Sequence, residues 1–187
     1  MKVLVAYNND ASEDNHTFFE TCADEVKQCC VDNKIEFTPI FPPNLDSQHI
    51  CQQIDENSIC FLAAHGDCDG VYNENGNPVV SVKTDNYNFS GKIFYSVSCY
   101  CAQKLMPELK RLGLTVFVGY NDAFRFLESD PAFYETALDG LKCILMGRTI
   151  LEARESMFAT YTKRISESDN RQIKMLLLHN REHLCFE

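Results

Sequence analysis

No apolar stretch of this chain approaches the ~20 residues that a helix needs to cross a bilayer, and the opening run Met1-Lys2-Val3-Leu4-Val5-Ala6-Tyr7 meets Asn8-Asn9-Asp10 too early for the apolar segment of a signal peptide. A cytoplasmic protein without membrane insertion is therefore expected. Basic clusters are equally scarce: none is longer than Lys110-Arg111, and 17 Lys and Arg stand against 27 Asp and Glu, a formal net charge of -10. Nucleic acid and anionic membrane would be repelled by that charge. A basic peptide or a cationic surface would be favoured. Internal repeats, low-complexity tracts and linkers are absent as well, so the 187 residues are expected to form one domain, 1–187. Oligomeric state has no signature in the chain.

What the chain does hold is core-forming material, 45% hydrophobic against 24% charged residues, which is globular composition. Ten cysteines would suggest a disulfide framework in a small secreted domain. Many of them lie inside apolar runs and no secretion signal accompanies them. They are expected to be thiols, mostly buried, in a reducing compartment.

Hydrophobic periodicity alternates between strand and helix along the chain. Residues 2–7 form a β-branched apolar run that stops at Asn8-Asn9-Asp10. Phe18, Phe19, Cys22, Ala23, Val26 and Cys30 recur at helical spacing over 13–31, with Ser12 as the expected cap. A strand over 35–40, a break at Pro42-Pro43 and a short helix over 45–54 follow. The run Ile59-Cys60-Phe61-Leu62-Ala63-Ala64 has the continuity of a central parallel strand and ends directly at His65-Gly66. Residues 67–91, rich in Asn, Asp and Gly, read as loop, with half of a hairpin near Val79 to Val82. Another strand over 92–98 ends at Cys99. Beyond it the pattern predicts a helix over 102–112, a strand over 115–118, helices over 131–145, 149–165 and 171–180, and a short strand near Leu184. Such alternation is the signature of an α/β fold, a mainly parallel central sheet flanked by helices in a three-layer sandwich. Sites in such folds form beyond the carboxyl ends of strands. His65, Cys99 and Asp122 all fall there.

Thiol attack on a carbonyl needs a nucleophile, a base and donors for the developing oxyanion. Cys99 and His65 can supply the first two. They stand 34 residues apart, enough for one loop and one strand between neighbouring strand ends. The amides of Gly66 and Cys99 are natural oxyanion donors.

An apolar strand ending in His-Gly, followed by a second ending in Ser-Cys, resembles the caspase-like (clan CD type) cysteine peptidases, which include caspases, gingipains, separases and bacterial CHAT domains. The resemblance is nearest the CHAT and separase branch. Val97-Ser98-Cys99-Tyr100-Cys101-Ala102 is similar to that branch's Ser-Ala-Cys-x-Thr-Ala, with Cys101 where Ser or Thr is frequent. Val116-Phe117-Val118-Gly119-Tyr120-Asn121-Asp122, the stretch from Leu145 to Ala153, and that from Leu178 to Leu184 resemble later segments of the same domains.

The resemblance implies a caspase-like fold and a cysteine endopeptidase, a thiol hydrolase that needs no cofactor, cleaving a protein or peptide through an acyl-enzyme. His65 and Cys99 would be catalytic. Cleavage after Arg or Lys, and action on one dedicated partner such as a gasdermin-like pore former, are among the options it leaves open. The Gln-Ala-Cys of caspases is absent, and Val97 stands where several basic-specific members carry an acid. For a basic substrate side chain, Asp122 is the first candidate partner, with Asp10, Asp67 and Asp69 bordering the same edge.

Two other readings compete with this one. One is a structural zinc held by His65, Cys68, Cys99 and Cys101, although no Cys-x-x-Cys knuckle is present. The other is a non-catalytic interaction or regulatory domain that keeps the caspase-like fold. His16, His49, His179 and His183 have no comparable context and read as surface or helix-end residues.

Overall fold

The structure is a computed structural model that describes residues 1–83 and 87–187. Six strands form the central sheet: β1 (Lys2–Tyr7), β2 (Glu36–Ile40), β3 (Ile59–Ala63), β7 (Ile93–Ser96), β8 (Val116–Tyr120) and β9 (Leu184–Phe186), in the order β2-β1-β3-β7-β8-β9. All neighbours are parallel except the last pair, where β9 runs antiparallel beside β8. Side chains of successive strand residues leave opposite faces, and two cores result. Val3, Val5, Tyr7, Phe61, Tyr95 and Val118 enter one, whereas Leu4, Cys60, Leu62, Phe94 and Phe117 enter the other.

Helices cover both faces. α1 (His16–Asp32) and α4 (Ala132–Leu145) pack on the first, with α5 (Ile150–Glu167) and α6 (Arg171–Glu182) contributing Met157, Tyr161 and Leu177 to the same core. Tyr95 and Tyr120 reach into this layer and satisfy their hydroxyls there, Tyr95 donating to the Ala137 carbonyl at 2.6 Å and Tyr120 meeting the Tyr161 hydroxyl at 2.8 Å. Full burial of an aromatic ring stabilises by about 1.5–3 kcal/mol provided its polar end is paired. α2 (Ser47–Ile54) and α3 (Leu105–Arg111) pack on the second face. The three-layer α/β sandwich expected from the alternation is thus the observed fold.

Three local expectations are corrected. Residues 67–91 are not simply loop: β4 (His65–Asp67), β5 (Gly70–Tyr72) and β6 (Pro78–Ser81) form a small antiparallel sheet beside the main one. The part of that stretch over 84–86 lies outside the described residues. Strands of three residues are too short to show a period, and Gly70, whose added Cβ would lie 2.8 Å from Ser81 Cβ, disguises a tightly paired strand as turn composition. Ser12 does not cap α1; the cap is Asn15, and Ser12 instead donates to Asp10 Oδ1. The helix expected over 102–112 begins only at Leu105, because residues up to Lys104 are spent in turns that lead away from Cys99.

Of the ten cysteines all are free; five are buried and five, Cys99 among them, partly exposed.

Candidate active site

The carboxyl ends of β3 and β7 are held together by a polar clasp. Leu62 O accepts from Val97 N at 3.2 Å and from Ser96 Oγ at 3.1 Å; with its one proton on Leu62, Ser96 Oγ accepts from Ser98 Oγ at 2.8 Å and from Ser98 N at 3.1 Å. Both serines are buried. Hydrogen-bonded burial of this kind fixes the backbone just before Cys99, since each group left unpaired would cost about 1–3 kcal/mol.

The next contact brings the two candidate segments together. A Cβ on Gly66 would overlap the Cys99 carbonyl oxygen and lie 2.8 Å from Ser98 Cβ and 3.0 Å from the Cys99 amide nitrogen. Only glycine allows backbone to meet backbone this closely. Gly66 is therefore required first by packing. In the β4–β5 hairpin, Asp67 pairs with Gly70 across a two-residue turn, so the ladder's alternation makes Gly66 and Val71 a non-hydrogen-bonded pair. The Gly66 amide accordingly points away from β5.

Immediately after Cys99 the chain enters the left-handed region at Tyr100, φ +56°. Few residues other than glycine sit there, and such positions are held by their surroundings. Here Tyr100 N donates to Asp122 O and Ala102 N to Tyr120 O, each at 3.0 Å. The sharp turn sets Cys99 apart from the helix that follows. The residue is partly exposed, and its Sγ lies 3.9 Å from Phe124 O, a weak sulfur contact. Burial pushes the Cys99 thiol above its ordinary value, with the Asp122 carboxylate adding to the shift. The resting side chain is a thiol.

His65, itself the first residue of β4, packs edge-on against Phe19 of α1, ring centroids 5.3 Å apart. Its Nε2 lies 2.8 Å from Glu13 Oε2, close enough for an ion pair, yet is poorly aligned for a hydrogen bond and shielded from solvent. The side chain as a whole is 39% exposed. Glu13 escapes sequence reasoning because it precedes α1, 52 residues from His65, in a segment whose periodicity speaks only of the helix that follows.

The four acids expected at this edge have different situations. Asp10 Oδ1 is occupied by the Ser12 amide and hydroxyl, which hold its carboxyl below the usual range. Asp69 accepts from the Tyr72 hydroxyl and pairs with Lys83 at 3.8 Å. Asp67 is exposed at the hairpin, its Oδ1 accepting from Cys68 N. Asp122 sits closest to Cys99 through the Tyr100 amide. Its Oδ1 accepts from Ala123 N at 2.6 Å while Oδ2 faces His183 Nε2 at 3.7 Å, and the Ala123 amide foremost, then His183 and His179, lower its pKa. Beyond it an open groove runs along Asn15, Phe124, Arg125 and Phe126.

The four residues considered for zinc do not converge. Cys101 is fully buried, donates to Ser98 O at 3.3 Å and is packed against Gly119, and burial raises its thiol to about 12. Cys68 groups instead with Asp67 and Asp69 at the hairpin, and among the described residues no metal-ligand cluster unites His65, Cys68, Cys99 and Cys101. His179 and His183 are likewise not isolated surface residues, since both converge on Asp122.

No protein-family model matches the sequence, and no curated protein matches it. Among solved structures, the chain is similar to the Arg-specific cysteine proteinase gingipain R, with a TM-score of 0.67 and 11% identity, over 94% of this chain and 44% of that one. The chain thus spans less than half the length of that proteinase. At so low an identity the likeness speaks for architecture alone, and the fold is the caspase-like three-layer sandwich expected from the sequence.

Proposed function

We propose that the chain is a cysteine endopeptidase in which Cys99 attacks the scissile carbonyl. The observation that carries this reading is the seam between Gly66 and Cys99, which joins a His-Gly strand and a Ser-Cys turn at one edge of a parallel sheet. His65 takes the thiol proton through Nδ1 and delivers it to the leaving amine; the amides of Gly66 and Cys99 hold the oxyanion; water then opens the thioester and restores the thiol. Because burial keeps Cys99 protonated, the reaction depends on His65 rather than on a preformed thiolate. Glu13, against Nε2, is a positioning residue that favours the proton there and the lone pair on Nδ1.

The substrate in this proposal is a protein or peptide cleaved after Arg or Lys. Asp122, nearest the turn after Cys99, and the exposed Asp67 are the partners for the basic side chain. The motif around Cys99 favours the CHAT and separase branch, and with it a dedicated partner such as a gasdermin-like pore former. One observation favours the rival reading of a non-catalytic domain: among the described residues no cation is a cause that lowers the Cys99 thiol pKa.

An acyloxymethyl-ketone probe bearing Arg or Lys, combined with peptide-library cleavage, separates the two. Selective labelling of Cys99 that is lost in His65→Ala, and cleavage lost by about a thousandfold or more in Cys99→Ala, are expected. Uniform labelling of many thiols, or full activity in Cys99→Ala, would overturn the peptidase.

A further inference from the structure

We infer that Asp122, His179 and His183 form a binding site for a divalent transition-metal cation of the zinc type. One ligand atom from each of the three lies within 4.8 Å of the others. His179 is on α6 and His183 is its C-terminal cap, four residues on, which sets both imidazoles on one side of the helix end, ring centroids 4.5 Å apart. Asp122 comes from the loop that follows β8. Its Oδ2 is 3.7 Å from His183 Nε2, and ligand atoms in tetrahedral zinc coordination stand roughly 3.4 Å apart.

The orientation of the rings is the second observation. His183 Nδ1 is 2.8 Å from Asn121 Oδ1, and His179 Nε2 is 3.0 Å from the Ala123 carbonyl oxygen. Both oxygens only accept, so each ring donates there and keeps its lone pair on the other nitrogen. A metal-ligating histidine has this arrangement, its second nitrogen bonded to an oxygen that fixes tautomer and direction. Two neutral imidazoles and one carboxylate then offer lone pairs and negative charge to the same space. His183 and Asp122 are each about a third exposed, which provides a path for entry.

Two imidazoles and one carboxylate suit zinc and its neighbours rather than calcium or magnesium, which prefer oxygen. The ligand set holds no thiolate, and it is independent of whether Cys99 is a nucleophile. A cation bound there would also withdraw Asp122 from any basic substrate side chain.

Titration with Co²⁺ tests the site in the presence of ten free thiols, because thiolate coordination produces an intense near-ultraviolet charge-transfer band and imidazole-carboxylate coordination does not. One equivalent is expected to bind with visible d–d absorption and without that band. Binding is expected to persist in Cys99→Ser and Cys68→Ser and to disappear in His183→Ala and in His179→Ala, with circular dichroism confirming that each variant is folded. Asn121→Ala, which removes only an orienting acceptor, is expected to weaken binding about tenfold. A thiolate band at the first equivalent, unchanged binding in both histidine variants, or no saturable binding to the wild-type chain would overturn the inference.

Discussion

At the scale of single residues, position 66 tolerates the least. A methyl group there must displace the Cys99 carbonyl or amide, which are backbone and directly follow the Ser98 amide held by the serine clasp. Gly66→Ala is expected to cost roughly 1–3 kcal/mol and to abolish turnover, measured by urea denaturation and peptide cleavage. The Asp122 carboxylate acts on the Cys99 thiol through its charge. Removing that charge in Asp122→Asn lowers the thiol pKa, so alkylation of Cys99 by iodoacetamide at neutral pH should become faster by a factor of a few, with burial still holding the value above that of a free cysteine. An unchanged or slower rate would show that the Asp122 field does not reach the sulfur. His65 and Cys99 stand out in the sequence as candidates because each directly follows an apolar run that ends abruptly. Glu13, His179 and His183 do not, because their meaning comes from partners 52 or more residues away that only the fold brings near.

Secondary-structure elements carry the site as clamps. Asn180 of α6 is fully buried and grips the loop after β8 from both sides: its Oδ1 accepts from Arg125 N at 2.9 Å and its Nδ2 donates to Arg125 O at 2.7 Å. The Phe124 carbonyl next to it is the one that meets Cys99. Asn180→Ala strands two buried backbone groups, at a cost of about 1–3 kcal/mol each when water does not reach them, and should make the chain susceptible to limited proteolysis near Arg125 while the sheet stays intact. α5 starts with a capping box in which Thr149 Oγ1 accepts from Glu152 N and Glu152 Oε2 accepts from Thr149 N. Thr149→Ala should remove about 1 kcal/mol of stability without touching the site. The central strands are readable from sequence because both their faces are buried and the apolar runs are continuous. β4 and β5 are not, since three-residue strands of Gly, Asp and Tyr owe their existence to pairing rather than composition.

For the whole molecule the buried thiols, together with the buried tyrosines Tyr95 and Tyr120, tie stability to alkaline pH. Burial raises Cys60 and Cys101 from an ordinary value near 9 to about 12, and Cys22 higher still. Their folded pKa exceeds the unfolded one, so the stabilisation is full below about pH 9 and is lost as pH climbs toward the folded value. In that window the unfolded chain releases protons that the native chain retains, at roughly 1.4 kcal/mol per pH unit for each thiol. Urea midpoints should fall steeply between about pH 9 and about 12, and Cys60→Ala should flatten the slope even though it lowers stability at neutral pH. A pH-independent midpoint in that range would contradict the burial of these groups.

The seam between Gly66 and Cys99 also has a consequence in time. It joins the ends of β3 and β7, strands that are neighbours in the sheet but separated along the chain by the whole of the small antiparallel sheet. Parallel partners meet only after such a crossover closes, which places this pairing late in folding. A nascent chain that has released His65 has no Cys99 beside it, and a released Cys99 has no neighbouring amide until the sheet's centre is built. Under the proposed reading, the pairing of Gly66 with Cys99 therefore waits until β3 and β7 have met, so the catalytic arrangement forms together with the centre of the sheet.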